Sequence, residues 1–502
     1  MPIRLPAVFL LSATLALSAC DGRNDAPGAH ATPDGNLLYG TVLFKPCSLS
    51  EAGVDAVEAQ CATLAVPENH DAPDGRQIEL AIALIPADGQ AGPDPIVMIA
   101  GGPGQSALES YPLLHDAFAD ARRNRSVLLL DARGTGRSHP LKCAEMEDAD
   151  AAPEAEETPA VARGFAERCR DTLQKTSDLR YYTTTDHIRD LDFVRQQLGV
   201  AQFNLVGVSY GTRVAQQFAK RYPTHARTIT LDSVVPNSLV LGQEHAQNLD
   251  DALKQQFARC AGDPACKQGL GDIAAQLAQV RDTLRAGGLA PVRYRDPVSG
   301  QWRSESPTYG HLALLLRLYA YQPQAAAMLP LVVHDAAQGN YESLLSQSRA
   351  IYAQISGAMA QGMGLSVSCS EDFELAPDAT DAETVMGSDF ADFVVAQCAA
   401  WPKGKRPADF RAPLTGDVPV LAISGEFDPV TPPRYGDEVV EGLKNGRHLV
   451  LPGQGHSVLG IGCMPKLFAQ FIETADARAL DADCLKRLKP TPPFAGTYGW
   501  EP

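Results

Sequence analysis

Residues 203–211 read Phe-Asn-Leu-Val-Gly-Val-Ser-Tyr-Gly, and this segment is the strongest indication of the fold. It begins as a short apolar run typical of a buried strand, and a helical pattern follows it over Gly211–Tyr222. Gly207 and Gly211 flank Ser209 in a sharp strand-to-helix turn, because larger neighbours would not fit so bent a backbone. The turn lifts the serine hydroxyl above the sheet, at a helix N-terminus whose partial positive charge favours an anion. We interpret Ser209 as a nucleophile; the alternative is a serine that only caps the helix.

The rest of the sequence places similar strands around this turn. Gln77–Pro86 alternates like a half-buried strand, and Thr185–Leu198 has apolar residues at helical spacing. Strands that alternate with helices predict an α/β fold with a mostly parallel, doubly wound sheet, covered on both faces. Further runs are almost wholly apolar, as buried parallel strands are: Pro95–Ala100, Ser126–Leu130, Arg227–Leu231, Val418–Ser424 and His448–Leu451.

The strand pattern stops between about Pro236 and Leu414 and resumes at Val418. We therefore expect residues 37–235 and 415–502 to form the sheet domain, and residues 236–414 to be an all-helical cap inserted over its active site. The cap has amphipathic helical patterns over Gln243–Cys260, Gly271–Ala286, Tyr309–Tyr321, Ala325–Ala337 and Tyr341–Ala360.

A serine hydroxyl is a poor nucleophile until a histidine removes its proton and a carboxylate orients that histidine. Asp428 and His456 each follow an apolar strand run, and they give the chain order Ser, Asp, His that this fold requires. Both stand just past the carboxyl end of a strand, where ligands gather in open α/β sheets. His448 and Glu426 compete for the two roles, but His448 begins its strand at the wrong edge and Glu426 comes one turn too early.

The loop Gly101-Gly102-Pro103-Gly104 ends an apolar strand. Backbone N–H groups can face a developing oxyanion only where no side chain intervenes, which explains the glycines. We expect one donor from Gly101 or Gly102, with Gly102 preferred, and a second from Tyr210. A loop rich in glycine can also be a plain turn, but its place two strands before Ser209 favours an oxyanion hole.

These motifs together resemble one branch of a known family. They are Gly101–Gly104, Asp131–Ser138 (Asp-Ala-Arg-Gly-Thr-Gly-Arg-Ser), Gly207–Gly211 and Gly425–Pro432 (Gly-Glu-Phe-Asp-Pro-Val-Thr-Pro). They are similar to the tripeptidyl aminopeptidase and proline iminopeptidase branch of the α/β-hydrolases, from about residue 37 to the end. The stretch after about residue 400 resembles the C-terminal region of the tripeptidyl aminopeptidases. Ala100 departs from the pattern, since many relatives have His before the glycines; that His is outside the triad, so only support of the loop is affected.

The resemblance implies an α/β-hydrolase fold with an inserted helical cap and the activity of a serine exopeptidase. Ser209, His456 and Asp428 would release one to three residues from the N-terminus of peptides through an acyl-enzyme, without a cofactor or metal. The alternatives are a carboxylic-ester hydrolase with the same triad, since one fold hosts both chemistries, and a non-catalytic peptide-binding lipoprotein. The resemblance makes Asp131–Ser138 a loop that buttresses the active site; a phosphate-binding loop would need a different spacing and a Lys.

An exopeptidase of this branch must hold the free α-ammonium group of its substrate, and a desolvated cation needs a paired anion. The run Ser368-Cys-Ser-Glu-Asp372 lies where the cap chain returns to the core. We predict Glu371 as the amine-binding residue and Asp372 as the second choice. Two adjacent acids can also belong to a solvated loop.

The N-terminus predicts export. Arg4 precedes an apolar run over Ala7–Leu17 that is too short to span a bilayer stably, and Leu17-Ser-Ala-Cys20 resembles a bacterial lipobox. We predict a signal peptide over residues 1–19, lipidation of Cys20 and a flexible tether over residues 20–36, and hence a periplasmic or membrane-anchored lipoprotein. Ordinary signal cleavage with an incidental cysteine is the alternative. The net charge of −17 argues against nucleic acid and anionic membrane surfaces, so we expect membrane contact only through Cys20, and peptides as substrates.

Ten further cysteines fall into neighbouring pairs along the chain. Such pairs become disulfides in an exported, oxidising compartment. Zinc is the rival interpretation, but the chain has no Cys-x-x-Cys knuckle and no His-Glu-x-x-His helix. Sequential pairing is the simplest prediction, and it joins Cys47 with Cys61, Cys143 with Cys169, Cys260 with Cys266, Cys369 with Cys398 and Cys463 with Cys484.

Overall fold

A computed structural model of the chain describes residues 28–51, 53–143, 158–378, 381 and 383–495. The predicted signal peptide and Cys20 lie outside the described residues. The strands are β1 Ala29–Ala31, β2 Leu37–Tyr39, β3 Val42–Leu49, β4 Val57–Pro67, β5 Gln77–Ile85, β6 Ile96–Ile99, β7 Val127–Leu130, β8 Phe203–Val208, β9 Ala226–Asp232, β10 Val292–Arg295, β11 Trp302–Glu305, β12 Val420–Gly425 and β13 Gly446–Leu451. The helices are α1 Ala107–Leu114, α2 Pro159–Leu173, α3 Thr184–Leu198, α4 Tyr210–Arg221, α5 His245–Gly262, α6 Pro264–Leu270, α7 Ile273–Ala286, α8 Tyr309–Tyr319, α9 Pro323–Ala326, α10 Leu329–Ala337, α11 Glu342–Ile355, α12 Gln361–Glu371, α13 Asp389–Cys398, α14 Pro433–Val440 and α15 Met464–Thr474.

The main sheet has the strand order β1-β2-β3-β4-β5-β7-β6-β8-β9-β12-β13. The strands from β7 to β13 in this order pair in parallel, whereas those from β1 to β5 pair antiparallel and β5 joins β7 antiparallel. All carboxyl ends of the parallel part therefore meet at one edge of the sheet, which we call the sheet edge. The predicted mostly parallel α/β sheet is confirmed.

Both faces of the parallel strands are buried, which explains why their sequences are apolar without alternation. In β8, Phe203 and Leu205 join a core cluster with α3 and α4, while Val206 joins a second cluster with α1 and α15. The same division holds in β12, where Ala422 faces the first cluster and Ile423 the second. Burying each such side chain stabilises the fold by about 1.5–3 kcal/mol, so these strands are held from two sides.

The N-terminal part of the sheet differs from the prediction. Residues 28–36 were expected to belong to a flexible tether, but Ala29 is buried and pairs with Tyr39 of β2. The tether prediction is wrong for these residues, because small residues such as Ala pack well against a neighbouring strand even where composition resembles a linker. Among the residues that the structure describes, no helix is both long and apolar enough to cross a membrane.

The cap has a hydrophobic core of its own, built from apolar faces of α5, α7, α8 and α10 around residues such as Leu253, Val280 and Leu316. The prediction that the cap is all helical is wrong, because β10 and β11 form an antiparallel hairpin. The hairpin could not be predicted from the sequence because its strands are short and mostly polar. Within these two strands only Tyr294 is buried, and Trp302 is exposed.

The five predicted cysteine pairs are bonded in the structure, with Cα–Cα distances between 5.0 and 6.4 Å. This confirms sequential pairing and is typical of exported proteins. Cys369–Cys398 joins α12 to α13 at the end of the cap. Within the described ranges, no group of three or more His, Cys, Asp or Glu side chains could hold a metal ion.

Candidate active site

Ser209 lies at the turn between β8 and α4 in a conformation that residues with side chains rarely adopt, with φ 54° and ψ −123°. Its N–H donates to the carbonyl of Asp232 at 2.8 Å, and its own carbonyl accepts from the N–H of Thr212 at 2.9 Å. The Thr212 hydroxyl donates to the same carbonyl at 2.6 Å. Such a backbone costs of order 1–3 kcal/mol and persists only where surrounding contacts hold it. The predicted strand-to-helix turn is present and is held from both sides.

The two glycines of the motif are required by close backbone approaches. A Cβ on Gly207 would lie 2.4 Å from the carbonyl oxygen of Gly211, and a Cβ on Gly211 would lie 2.3 Å from that of Ile99. Real Cβ atoms do not come so close to a backbone oxygen. Only glycine therefore allows α4 to leave the turn directly over the end of β6.

The glycine loop after β6 lies against Ser209. A Cβ added to Gly101 would lie 3.1 Å from the Cβ of Ser209 and 3.1 Å from the carbonyl oxygen of Val208. Gly102 and Gly104 have φ values of 108° and 116°, which side chains disfavour. The carbonyl of Gly104 accepts from the N–H of Ala360 at 2.9 Å, so the segment just before α12 holds the loop. The structure thus brings Gly101, Gly102 and the nucleophile turn together, as the sequence predicted.

Asp428 and His456 meet at the sheet edge, where β12 and β13 end side by side. The His456 Nδ1–H donates to Asp428 Oδ2 at 2.8 Å. The hydroxyl of Thr431 donates to the same Oδ2 at 2.8 Å and lies 3.3 Å from His456 Nδ1. The other carboxylate oxygen, Oδ1, accepts from the N–H groups of Val430 at 2.9 Å and Thr431 at 2.8 Å. Asp428 is therefore saturated with donors, which fixes its orientation toward the imidazole.

Burial and charge set the titration of this pair. Burial by itself raises the pKa of Asp428, but the His456 charge, its hydrogen bond and the backbone N–H donors bring that pKa below its usual value. Burial lowers the pKa of His456, yet the charge and hydrogen bond of Asp428, together with the charge of Asp232, raise it above the usual 6.5. The environment therefore stabilises an imidazolium beside an ionised carboxylate, which is what a general base needs once it has taken a proton.

The cap contacts the histidine loop directly. The N–H of His456 donates to the carbonyl of Tyr321 at 2.8 Å. The Tyr321 ring stands edge-on to the imidazole with centroids 4.8 Å apart. Gly455 makes this possible, because a Cβ there would lie 2.2 Å from the Tyr321 carbonyl oxygen. A cap residue therefore forms one wall of the site.

The two acids predicted to bind an amine are both engaged inside the protein. Glu371 is fully buried, and its carboxylate oxygens accept from the Thr184 N–H at 2.6 Å and the Thr184 hydroxyl at 2.8 Å. The Thr184 hydroxyl also contacts the Tyr210 hydroxyl at 2.6 Å. Burial raises the pKa of Glu371 to about 7, and the charge of Asp372 adds to the effect.

Asp372 is held by two guanidinium groups, Arg213 at 3.0 Å and Arg411 at 3.0 Å, and also accepts from the N–H of Leu241. The geometry argues against the amine-binding prediction for both acids, because their oxygens already have protein partners and no exposed surface. A sequence cannot distinguish such acids from ligand-binding ones, since the partners of Asp372 lie far away along the chain.

His448 and Glu426, the residues that competed with His456 and Asp428 in the sequence, make structural contacts instead. His448 Nδ1 contacts Asp437 Oδ1 at 2.8 Å and its Nε2 contacts the Ser424 hydroxyl at 3.0 Å. Glu426 accepts from the N–H of Gly453 at 2.7 Å. Neither residue pairs with His456 among the described contacts.

The Asp131–Ser138 loop supports the site from behind. Asp131 accepts from the hydroxyl of Ser106 at 2.6 Å and from the N–H of Leu108 at 3.0 Å, which anchors the start of α1. Arg133 is buried and donates to both carboxylate oxygens of Asp190 at 2.7 Å. These contacts fit the buttressing role that the resemblance implied.

Sequence reasoning missed Thr431, Tyr321 and Asp232. Asp232 ends β9 and accepts from the N–H groups of Val458 and Leu459, just after His456. An acid directly after the apolar run Arg227–Leu231 is the same signal that pointed to Asp428, so it could have been found. Thr431 and Tyr321 had no such signal, because their roles depend on how loops pack.

A strained serine turn, a glycine loop and a buried Asp–His pair on a doubly wound parallel sheet define an α/β-hydrolase. The chain belongs to this family: the family model described as alpha/beta hydrolase fold matches residues 94–461.

Particular relatives are similar over most of the chain. Serine protease Hip1 of Mycobacterium tuberculosis is 26% identical over 470 residues, covering 86% of this chain and 88% of that protein. Tripeptidyl aminopeptidase of Streptomyces lividans is 25% identical over 476 residues, covering 86% and 85%. Carboxylesterase B of Mycobacterium tuberculosis is 29% identical over 272 residues, covering 51% and 52%.

Proposed function

We propose that the protein is a serine exopeptidase, an aminopeptidase that releases one to three residues from the N-terminus of peptides. The observation that carries the chemistry is the buried hydrogen bond of 2.8 Å between His456 and Asp428 at the same sheet edge as Ser209. The similarity to a serine protease and to a tripeptidyl aminopeptidase, each over 86% of this chain, supports a peptide as substrate.

The reaction follows from the roles of these groups. Ser209 Oγ attacks the carbonyl carbon while His456 takes its proton, and Asp428 holds the imidazolium that forms. The N–H groups of Gly102 and Tyr210 bind the oxyanion, with Gly101 beside them. His456 then protonates the leaving amine, and a water molecule repeats the cycle on the acyl-enzyme to release the short product. The reaction uses no cofactor.

The test is a comparison of matched peptide amides with a free and an acetylated N-terminus. An aminopeptidase should cleave the free-amine peptides with much higher kcat/KM, because the blocked peptides lack the ammonium group and are longer by an acetyl. Equal cleavage of both series would refute the exopeptidase proposal, while leaving serine hydrolase chemistry intact.

A carboxylic-ester hydrolase is the second candidate. The similarity to Carboxylesterase B favours it, and so does the absence of an unpaired acid at positions 371 and 372, where an amine was expected to bind. Measuring kcat/KM for esters and amides with the same acyl group separates the two functions. An ester preference far beyond the intrinsic reactivity of esters would favour the second.

We also propose that the protein is exported and anchored through a lipid on Cys20. The five disulfides support an oxidising compartment. The lipobox-like Leu17-Ser-Ala-Cys20 supports the anchor. Replacing Cys20 by Ala should move the protein from the membrane fraction to the soluble fraction; an unchanged distribution would contradict the anchor.

A further inference from the structure

Asp232 is a buried carboxylate at the sheet edge that the reaction described above does not use. It ends β9, the strand between β8, which carries Ser209, and β12, which leads to Asp428. Its side chain is fully buried. A buried carboxylate is costly unless it is well hydrogen-bonded, so its contacts indicate what it does.

Those contacts lie on the loop of the catalytic histidine. Asp232 Oδ1 accepts from the N–H of Val458 at 2.8 Å, and Oδ2 accepts from the N–H groups of Val458 at 3.0 Å and Leu459 at 3.0 Å. The next residue of the same segment, Ser233, accepts from the N–H of Ser457 through its hydroxyl at 2.8 Å. Three successive N–H groups after His456 are therefore held by two adjacent residues.

The backbone on both sides of this clamp is unusual. Ser233 has φ 61° and Ser457 has φ 65°, values that side chains disfavour. A loop in this conformation reverts to a relaxed one unless its contacts hold it. The Asp232–Ser233 pair supplies such contacts immediately beside the imidazole, and the Tyr321 carbonyl supplies another on the His456 N–H.

Asp232 also acts on the imidazole by charge. Its negative charge is one of the two that raise the pKa of His456, the other being Asp428. Two other titratable groups lie near the His456 imidazole. His245 of α5 has its pKa lowered by burial to about 3. Arg317 of α8 contacts Tyr321, the residue that packs against His456. Burial raises the pKa of Asp232 itself to about 6, against the hydrogen bonds of Val458 and Leu459.

We propose that Asp232 is a positioning residue for the catalytic base: it fixes the His456 loop and, as a second buried anion, stabilises the protonated imidazole that forms during each transfer. The proposal rests on the serine hydrolase chemistry proposed above. The proton still moves from Ser209 Oγ to His456 and on to the leaving group; Asp232 receives none.

Asp131 offers a matched control. It also follows a buried parallel strand, β7, is fully buried, and accepts from backbone N–H groups, those of Leu108 and Arg137. Its charge is not among those that raise the pKa of His456. Asp131 therefore represents a carboxylate that only anchors loops.

The experiment measures kcat/KM against pH for the full chain, with an activated p-nitrophenyl ester that any serine hydrolase accepts. Asp232→Asn should move the acid limb of the profile down by about half a pH unit or more, because the imidazolium loses one nearby anion. Asp232→Glu should restore the limb toward its original position. Asp131→Asn should leave the limb in place.

An acid limb that Asp232→Asn leaves unmoved would overturn the proposal, and so would an equal shift in Asp131→Asn. The unfolding temperature of each variant separates misfolding from a change in the base. If Asp232→Asn does not fold, NMR titration of His456 in the unaltered protein decides instead. Its imidazole resonance should respond to the titration of Asp232 as well as to that of His456 itself, since burial raises the pKa of Asp232 to about 6; a resonance that follows a one-proton titration curve would refute the proposal. Because the substrate is an ester, failure of the aminopeptidase proposal would not affect any of these results.

Discussion

The sheet edge and the cap hold their functional residues in different ways. At the sheet edge, Ser209, Asp428 and His456 each follow a parallel strand that is buried on both faces, and main-chain hydrogen bonds fix their loops. The part of the cap from α5 to α11 has a separate hydrophobic core and contacts the site through residues such as Tyr321, whereas Ala360 and α12 pack into the core of the sheet domain.

Because the two regions are packed separately, we expect bond chemistry to depend on the sheet edge and substrate choice to depend on the cap. Damage to the sheet edge should abolish turnover of every substrate. Damage to the cap should lower stability or change which substrates are used, while an activated ester is still hydrolysed. The following predictions test this division.

Ser209→Ala should cause the largest loss. Removing a triad serine lowers kcat about a millionfold, since no other group can form the acyl-enzyme. Hydrolysis of an activated ester and labelling by a fluorophosphonate should both disappear. Ser343→Ala, on a cap helix, is the control and should retain both; residual labelling of Ser209→Ala would show that another nucleophile is present.

Asp428→Asn should lower kcat by about ten-thousandfold, because the amide no longer holds the histidine in the required tautomer. Thr431→Val removes only one of the hydrogen bonds to Asp428 and should cost far less.

The raised pKa of His456 also predicts that kcat/KM for the unaltered protein rises with pH through a midpoint above 6.5. A midpoint well below that value would contradict the coupling of the pair.

Gly101→Ala should displace the neighbouring N–H of Gly102 and lower kcat by about a hundred- to a thousandfold, the usual cost of one oxyanion donor. The new Cβ would lie 3.0 Å from the Gln105 side chain and 3.1 Å from the Ser209 Cβ, so the loop must shift. Gly164→Ala in α2, where a Cβ meets only the Arg168 side chain at 3.3 Å, should leave kcat unchanged. Full activity in Gly101→Ala would show that this loop does not contribute to the oxyanion hole.

Replacing Cys369 and Cys398 together by Ala should lower the free energy of unfolding by about 2–4 kcal/mol. The disulfide closes a separation of 29 residues, against 6 for Cys260–Cys266. Removing the disulfide that closes the shorter loop should cost about 1.4 kcal/mol less on the chain-entropy account. Urea unfolding measures both. The folded Cys260→Ala/Cys266→Ala variant, whose disulfide lies in the cap core, should still hydrolyse an activated ester; loss of that activity would mean that the cap and the sheet edge are not separable.

Glu371→Gln should change stability more than activity. The pKa of Glu371 is raised from 4.5 to about 7, so its contribution to stability is complete below about 4.5 and is lost as the pH rises through 7. A neutral Gln removes this loss, which is of order 1–3 kcal/mol. Urea unfolding from pH 5 to pH 8 should therefore show a flatter profile for the variant. If Glu371 instead bound the substrate amine, the variant would lose its preference for free-amine peptides.

The main elements of the sheet could be predicted, since Phe203–Val208 matches β8 and the other predicted parallel strands agree within two residues at most ends. Strands buried on both faces leave a clear apolar signal. The antiparallel strands β1 to β4 were not predicted, because they are partly exposed and β3 and β4 contain polar residues and cysteines. The cap hairpin was missed for the same reason.

The residues of the site also differ in how well the sequence predicts them. Residues that follow an apolar strand, such as Asp428 and His456, are marked by their position in the chain. The contact of Glu371 with Thr184 could not be predicted, because Thr184 is 187 residues away and no local pattern reports such a contact. Tyr321 could be placed in the cap but not beside His456, since that requires knowing how the cap packs.

The kinds of groups that meet at the sheet edge could be predicted from the sequence alone, because the carboxyl ends of neighbouring parallel strands lie together. Sequential pairing of the cysteines was the simplest prediction because the partners are neighbours along the chain, and the structure confirms it. Which carboxylates are free to act became clear only from the packing of the folded chain. Whether an acid binds a ligand, orients a histidine or is held by an arginine depends on side chains brought in from distant segments, and their packing is not encoded in any local pattern.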